Sequence, residues 1–311
     1  MSELTDRLLA GDRRALARSL THVESGGAEA RAILAGLYPH SGRAHIVGVT
    51  GAPGAGKSSL VNTLAQVVRQ RNRTVAIVAV DPTSPFTGGA LLGDRIRMRD
   101  RAGDPGVFIR SMASRGSLGG LARATGDVVT VLDAAGFDLI FVETVGAGQV
   151  EVDIARETHT TVVIEVPGLG DEVQAIKAGL LEIADIFAVN KADREGAQQA
   201  VLALRMMLDL DKHSSKGWKI PIIKTVATRG EGLQELADAI EAHRAYLETT
   251  GEWRARERTR TNEEFQRLLR RELMERLLAR VGRARFDNML ERLVAREIDP
   301  YRAAEELLGQ F

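Results

Sequence analysis

The chain has 311 residues, 44% of them hydrophobic and 27% charged, with 42 basic side chains set against 42 acidic ones. That length can bury a sizeable core, and a net charge of zero gives no long-range pull toward nucleic acid or an anionic membrane. Cysteine is absent, which excludes disulfides and thiolate metal sites.

The first stretch, MSELTDRLLAGDRR, is charged early and has no apolar leader core, and no later run approaches the length of a membrane span. A cytoplasmic location is expected, or a mitochondrial matrix one in a eukaryote. Residues 1–43 read as an N-terminal helical extension. Leu16, Leu20 and Val23 share one helical face, while Ser25-Gly-Gly and His40-Ser-Gly interrupt the pattern.

From Ala44 to residue 249 the texture changes. Seven short apolar runs occur at 45–50, 74–81, 107–114, 138–145, 160–167, 186–193 and 221–228. Their hydrophobicity is nearly continuous, as in strands covered on both faces of a parallel sheet. Helical stretches at 57–71, 119–136, 173–184 and 231–247 supply crossovers, so the expected fold is α/β: a doubly wound, mostly parallel sheet. Beyond residue 250 the strands stop. A C-terminal helical extension follows, with Phe265, Leu269, Leu273 and Leu277 recurring every four residues among 14 Arg and 12 acidic residues between Glu252 and Phe311. This pattern fits a solvated helix face with i,i+4 charge pairs, and a nucleic-acid arm is the other reading. The apolar stripe needs a partner, either the preceding domain or a second subunit. Asp299-Pro300 opens a last short helix.

Between the first apolar run and the first crossover helix stands GAPGAGKSS. Gly51, Gly54 and Gly56 permit a tight turn in which the backbone of Gly51, Ala52, Pro53, Gly54, Ala55 and Gly56 can encircle a phosphate at a helix N-terminus. Lys57 can span the β- and γ-phosphates, and the hydroxyl of Ser58, followed by Ser59, can ligate Mg²⁺. A plain glycine-rich loop is the alternative. Asn190-Lys191-Ala192-Asp193 closes another apolar run. The Asp193 carboxylate can accept both N1–H and the exocyclic amino group of guanine, a pair of donors that adenine lacks, so the motif selects GTP over ATP. A helix N-cap is the other use of such an aspartate. Ala227 is placed to offer its N–H to guanine O6.

FVETVGAGQVEV (141–152) has the order of a γ-phosphate sensor, with Glu143 as the acid near Mg²⁺ and the Gly146 N–H facing the γ-phosphate. Gln149 stands three residues past Gly146, so it is not assured of orienting the attacking water. Asp81 and Asp94 could ligate the ion or orient that water, or serve as helix caps. Lys177 in PGLGDEVQAIK is a candidate charge donor once a partner docks, or simply a surface lysine. No arginine or glutamine is assured against the γ-phosphate, and slow intrinsic turnover is expected. The six histidines, at 22, 40, 45, 159, 213 and 243, show no helical ligand spacing, and no metal cluster is expected from them.

With GAPGAGKSSL (51–60), VDPTSPFTGGALLGDRIRM (80–98), SMASRGSLGGLA (111–122), ETVGAGQVE (143–151), PGLGDEVQAIK (167–177) and NKAD (190–193), the chain resembles the MeaB/ArgK, or methylmalonic aciduria type A, family of P-loop GTPases in the G3E group. In that group the switch acid is Glu, which accounts for Glu143. The resemblance implies a GTPase metallochaperone that gates adenosylcobalamin loading into an acyl-CoA mutase, methylmalonyl-CoA mutase or a relative, and protects that mutase. It implies a homodimer formed through the C-terminal helices, a cobalamin adenosyltransferase as a further partner, and no cobalamin held by the chain itself. Lys57, Ser58, Asp81, Asp94, Glu143, Asn190 and Asp193 fall on the family's nucleotide or Mg²⁺ positions. Ser117, Ala147 and Val150 depart from the family pattern and leave open which client surface is recognised. A nickel-delivery GTPase, disfavoured by the lack of Cys, and a transport-linked kinase or ATPase, disfavoured by NKAD, are the alternatives.

Overall fold

The structure, a computed structural model, describes residues 3–81, 104–113, 124–144, 150–168, 181–210 and 217–309. It divides into two compact units, Met1–Glu257 and Arg258–Phe311.

The first unit opens with helices α1 (Glu3–Leu9), α2 (Arg13–Ser25) and α3 (Ala28–Leu37). The start of α2 is set by Asp12, whose Oδ1 accepts the N–H groups of Arg14 and Ala15 at 2.8 and 3.2 Å; such a cap satisfies donors that the helix cannot. Then come β1 (His45–Gly51), α4 (Lys57–Gln70), β2 (Val75–Asp81), β3 (Val107–Ala113), α5 (Thr125–Ala134), β4 (Leu139–Thr144), α6 (Val150–Glu157), β5 (Thr160–Glu165), β6 (Ile186–Val189), α7 (Ala197–Leu210), β7 (Ile222–Lys224) and α8 (Leu233–Thr250).

All seven expected runs are strands. They form one sheet in the order β3-β2-β4-β1-β5-β6-β7, with every pairing parallel. Helices α6 and α7 are crossovers additional to those named from the sequence, and residues 173–180 of the stretch expected at 173–184 lie outside the described residues. The near-continuous apolar runs follow from cover on both faces. Val47, Val49 and Phe141 point to α4 and α8, among Leu60, Leu64, Leu236 and Ile240. Ile46, Ile140 and Val142 point the other way, toward Leu16, Leu20, Ile33, Val128, Leu132 and Ile154 of the N-terminal helices, α5 and α6. Helix α7 covers Val163 and Phe187 through Val201 and Leu204. The N-terminal helices thus complete one face of the sheet, and Arg110 Nε on β3 donates to Glu24 Oε1 of α2 at 2.5 Å. Because the strand order departs in both directions from β1, its carboxyl end is where an open parallel sheet presents a ligand crevice.

At the opposite, amino edge of the sheet, three histidines distant in sequence converge. His45, His159 and His243 are each at most 1% exposed. The Thr160 hydroxyl bridges His45 Nε2 (2.7 Å) and His243 Nδ1 (2.8 Å). His159 Nδ1 accepts the Ile46 N–H at 3.0 Å, so its proton sits on Nε2, which faces Glu257. Trp253 stacks on His159 at 3.9 Å between ring centroids, and Arg256 donates twice to Asp185 at 2.8 Å. Burial holds His45 well below its ordinary pKa, with His159 adding to the effect. For His243 burial outweighs the pull of Asp185 and lowers the pKa to about 4. These are neutral, structural imidazoles. Among the described residues no group of three or more His, Cys, Asp or Glu is arranged to hold a metal ion.

Helix α9 (Glu252–Val281) begins in the first unit, and α10 (Arg283–Val294) and α11 (Pro300–Leu308) belong to the second. The second unit has a small core of Met289, Ala303 and Leu307. No residue of α9 is buried, and Phe265 (60%), Leu269 (45%) and Leu273 (45%) are exposed. No helix is long and apolar enough to cross a membrane among the described residues.

Candidate nucleotide site

The chain leaves β1 at Gly51, whose φ is 142° and where a Cβ would meet the Ile164 carbonyl oxygen at 2.2 Å. Only glycine lets the loop begin this close to β5. Pro53 and Gly54 form the exposed tip, and Ala55 N–H donates back to the Ala52 carbonyl at 3.1 Å. Gly56, at φ 89°, starts α4, and a Cβ there would lie 2.6 Å from Asn190 Nδ2. The loop therefore curls around a helix N-terminus, where unpaired N–H groups and the helix dipole favour an anion.

Lys57 is 7% exposed, and its Nζ donates to the carbonyls of Gly51 (2.8 Å) and Ala52 (3.1 Å), which holds the ammonium across the mouth of the loop. Ser58 Oγ donates to Glu143 Oε1 at 2.5 Å, joining the first turn of α4 to the end of β4. Glu143 is 5% exposed. Its extra methylene relative to Asp suits this reach. On the opposite face of the sheet, Thr144 Oγ1 donates to Thr50 Oγ1 at 3.1 Å, both side chains fully buried, so the ends of β1 and β4 are tied together. Ser59 contributes its carbonyl to Thr63 Oγ1 inside α4 at 3.0 Å.

The NKAD segment braces the loop from the other side. Asn190 Nδ2 donates to the Ala55 carbonyl at 2.8 Å, and Lys191 Nζ to the Gly54 carbonyl at 2.7 Å. Asn190 Oδ1 in turn accepts the Ala227 N–H at 3.1 Å and the Thr225 hydroxyl at 3.3 Å. The Ala227 N–H, which the sequence reading places toward guanine O6, donates here to Asn190 Oδ1. The reason is tertiary: β6 and β7 are neighbours, which puts this N–H against a side-chain oxygen 37 residues earlier. Asp193 stands at the rim, 39% exposed, with Arg229 Nη1 at 3.8 Å.

The structure thus brings together Gly51, Ala52, Gly54, Ala55, Gly56, Lys57, Ser58, Glu143, Asn190, Lys191 and Ala227. Asp94, Gly146, Gln149 and Lys177, and the side chain of Asp81, lie outside the described residues. Sequence reasoning missed Thr50, Thr144 and Arg229, whose sequence gave no motif signal.

A parallel sheet that carries a phosphate loop after β1, braced by NKAD after β6, defines a P-loop GTPase, an enzyme that hydrolyses GTP. Comparison with known families gives the particular kind. Residues 16–282 match the family model described as methylmalonyl Co-A mutase-associated GTPase MeaB, and the chain belongs to that family. A Pyrococcus abyssi protein named "Putative GTPase" is 52% identical over 100% of this chain and 97% of its own length. The GTPase ArgK of Escherichia coli is 35% identical over 81% of this chain and 78% of its own. A mouse protein, methylmalonic aciduria type A homolog, mitochondrial, is 31% identical over 85% of this chain and 65% of its own. Among solved structures, one described as LAO/AO transport system kinase superposes with a TM-score of 0.73 at 26% identity, covering 99% of this chain and 96% of that one.

Proposed function

We propose that this GTPase acts as a chaperone of an adenosylcobalamin-dependent acyl-CoA mutase, gating cofactor loading and protecting the mutase, with methylmalonyl-CoA mutase or a close relative as client. The observation that carries this reading is the MeaB match over residues 16–282, joined to a complete phosphate loop. In this reading the chain contributes the switch and the mutase carries the cobalamin. A cobalamin adenosyltransferase is a further partner.

The site fits Mg²⁺–GTP on its donor chemistry. Ser58 and Glu143 bring a hydroxyl and a carboxylate oxygen, hydrogen-bonded to each other here, of the hard ligand type that magnesium prefers together with phosphates and water. Magnesium, when bound, offsets negative charge on the phosphate oxygens. Lys57 brings a buried positive charge to the phosphates, and the N-terminus of α4 adds its dipole. Asn190 holds the phosphate loop and the loop after β7 in fixed relation, and the Asp193 carboxylate accepts the two guanine donors. Asp81, Asp94, Gly146, Gln149 and Lys177 are assigned to the switch side by motif alone. The exposed apolar residues of α9 are assigned to a homodimer.

Pull-down with purified methylmalonyl-CoA mutase, in GDP and in a non-hydrolysable GTP analogue, tests the client. Nucleotide-dependent retention is expected. No binding in either state to any adenosylcobalamin-dependent mutase sinks the proposal. Equal turnover of ATP and GTP would instead favour the transport-linked kinase or ATPase reading.

A further inference from the structure

The loop between β7 and α8 is a closed turn beside the base-recognition segment. Val226 and Glu231 form an antiparallel bridge, Val226 N–H donating to the Glu231 carbonyl at 3.0 Å. Inside it Arg229 N–H donates to the Val226 carbonyl at 3.0 Å. The turn ends at Gly232, with φ 74° and the Lys224 carbonyl oxygen 2.0 Å from where a Cβ would stand, so the backbone is pinned against β7. Ala227 N–H in the same turn is bound to Asn190 Oδ1. The turn therefore has little freedom relative to NKAD.

On this platform the Arg229 side chain is clamped. Nε donates to Glu231 Oε1 at 2.7 Å and Nη2 to Glu231 Oε2 at 3.2 Å, a two-point fork on one edge of the guanidinium. The remaining nitrogen, Nη1, is left 3.8 Å from Asp193 Oδ2. A single exposed pair at that distance would be weak. The fork changes this, because the long side chain is already ordered by Glu231 before it meets Asp193.

We propose that Arg229 is a positioning residue for base specificity. Held by Glu231, it draws Oδ2 of Asp193 toward the turn and so fixes the plane in which the carboxylate meets N1–H and the exocyclic amino group of guanine. The role rests on the reading of Asp193 as the guanine acceptor. It needs a planar fork plus a third nitrogen, which lysine does not have.

The test is nucleotide affinity, with GTP and xanthosine triphosphate, for the native chain, Arg229→Gln, Arg229→Lys, Asp193→Asn and the double variant Arg229→Gln/Asp193→Asn. Arg229→Gln and Arg229→Lys are both expected to weaken GTP binding by about three- to tenfold, less at high salt, with an unchanged melting temperature. In the Asp193→Asn background, where xanthosine triphosphate becomes the preferred ligand, removing Arg229 is expected to cost nothing further. Unchanged GTP affinity in Arg229→Gln, while Asp193→Asn does switch preference, overturns the role of Arg229 and leaves the base assignment standing. The same loss in both backgrounds shows an effect not exerted through Asp193, and overturns it too. Unaltered preference in Asp193→Asn overturns the base assignment itself and the proposal with it.

Discussion

Ser58 Oγ and Glu143 Oε1 lie 2.5 Å apart across 85 residues of chain, closing the gap between the first turn of α4 and the end of β4. If this pair holds the metal edge of the site, each partner should be needed for magnesium-dependent turnover. Ser58→Ala and Glu143→Ala are expected to slow GTP hydrolysis by at least tenfold, roughly 1.4 kcal/mol of barrier. The Mg²⁺ concentration for half-maximal rate should rise in both. A titration of rate against Mg²⁺ checks this, and an unmoved midpoint removes the pair from the metal site.

Asn190 is the joint between two loops. Its side chain is 2% exposed and serves the Ala55 carbonyl, the Ala227 N–H and the Thr225 hydroxyl. Asn190→Ala strands these buried groups at a cost of about 1–3 kcal/mol. A lower denaturation midpoint and GTP binding weakened by about tenfold or more are expected, read by denaturant melts and nucleotide titration. Binding at native affinity would contradict its bracing role.

Gly51→Ala tests the crowding at the loop's entry. The new methyl meets the Ile164 carbonyl at 2.2 Å, with φ at 142°. Backbone must move, so loss of nucleotide binding is expected. A variant with native affinity and melting temperature would show that the entry tolerates a side chain.

The histidine cluster makes acid stability predictable in sign. His243 has a folded pKa of about 4, below its unfolded value of 6.5. Below pH 6.5 the unfolded chain takes up a proton that the folded chain refuses, so stability falls as pH drops from 6.5 toward 4. Above pH 6.5 the dependence vanishes. His45, lowered also by burial, acts in the same direction. The contribution of His243 is on the order of 3 kcal/mol across that window. Denaturant melts from pH 7 to 4.5 should show the decline, and His243→Gln should make it shallower, leaving the part due to His45.

The exposed stripe on α9 predicts self-association. Phe265, Leu269 and Leu273 are 60%, 45% and 45% exposed on a helix with no buried residue. Contiguous apolar surface of this kind marks a partner site. Leu269→Glu with Leu273→Glu should convert a dimer to a monomer in light scattering while GTP hydrolysis by each subunit persists. A native chain that is monomeric at micromolar concentration would rule the dimer out.

Much of this was legible in one dimension. The five central strands announced themselves because burial on both faces demands continuous apolar runs, and the phosphate loop because its glycines, lysine and serine are contiguous. The N-terminal helix α2 showed its inner face as Leu16, Leu20 and Val23. The environment of Asn190 was not legible: NKAD marked the residue but not that its Oδ1 would take the Ala227 N–H. Nor did spacing disclose the histidines. His45, His159 and His243 look scattered because strand starts and the helix after the last strand bring them together only after the sheet has ordered.

Local sequence alone determined the identity of the elements and the chemistry of each motif, since periodicity and glycine placement act over a few residues. Tertiary structure decided which motifs meet. The order β4-β1-β5-β6-β7 sets Glu143 against Ser58, Asn190 against the phosphate loop and Arg229 beside Asp193. Strand order in a parallel sheet is fixed by the packing of crossover helices on both faces, a property of the whole chain.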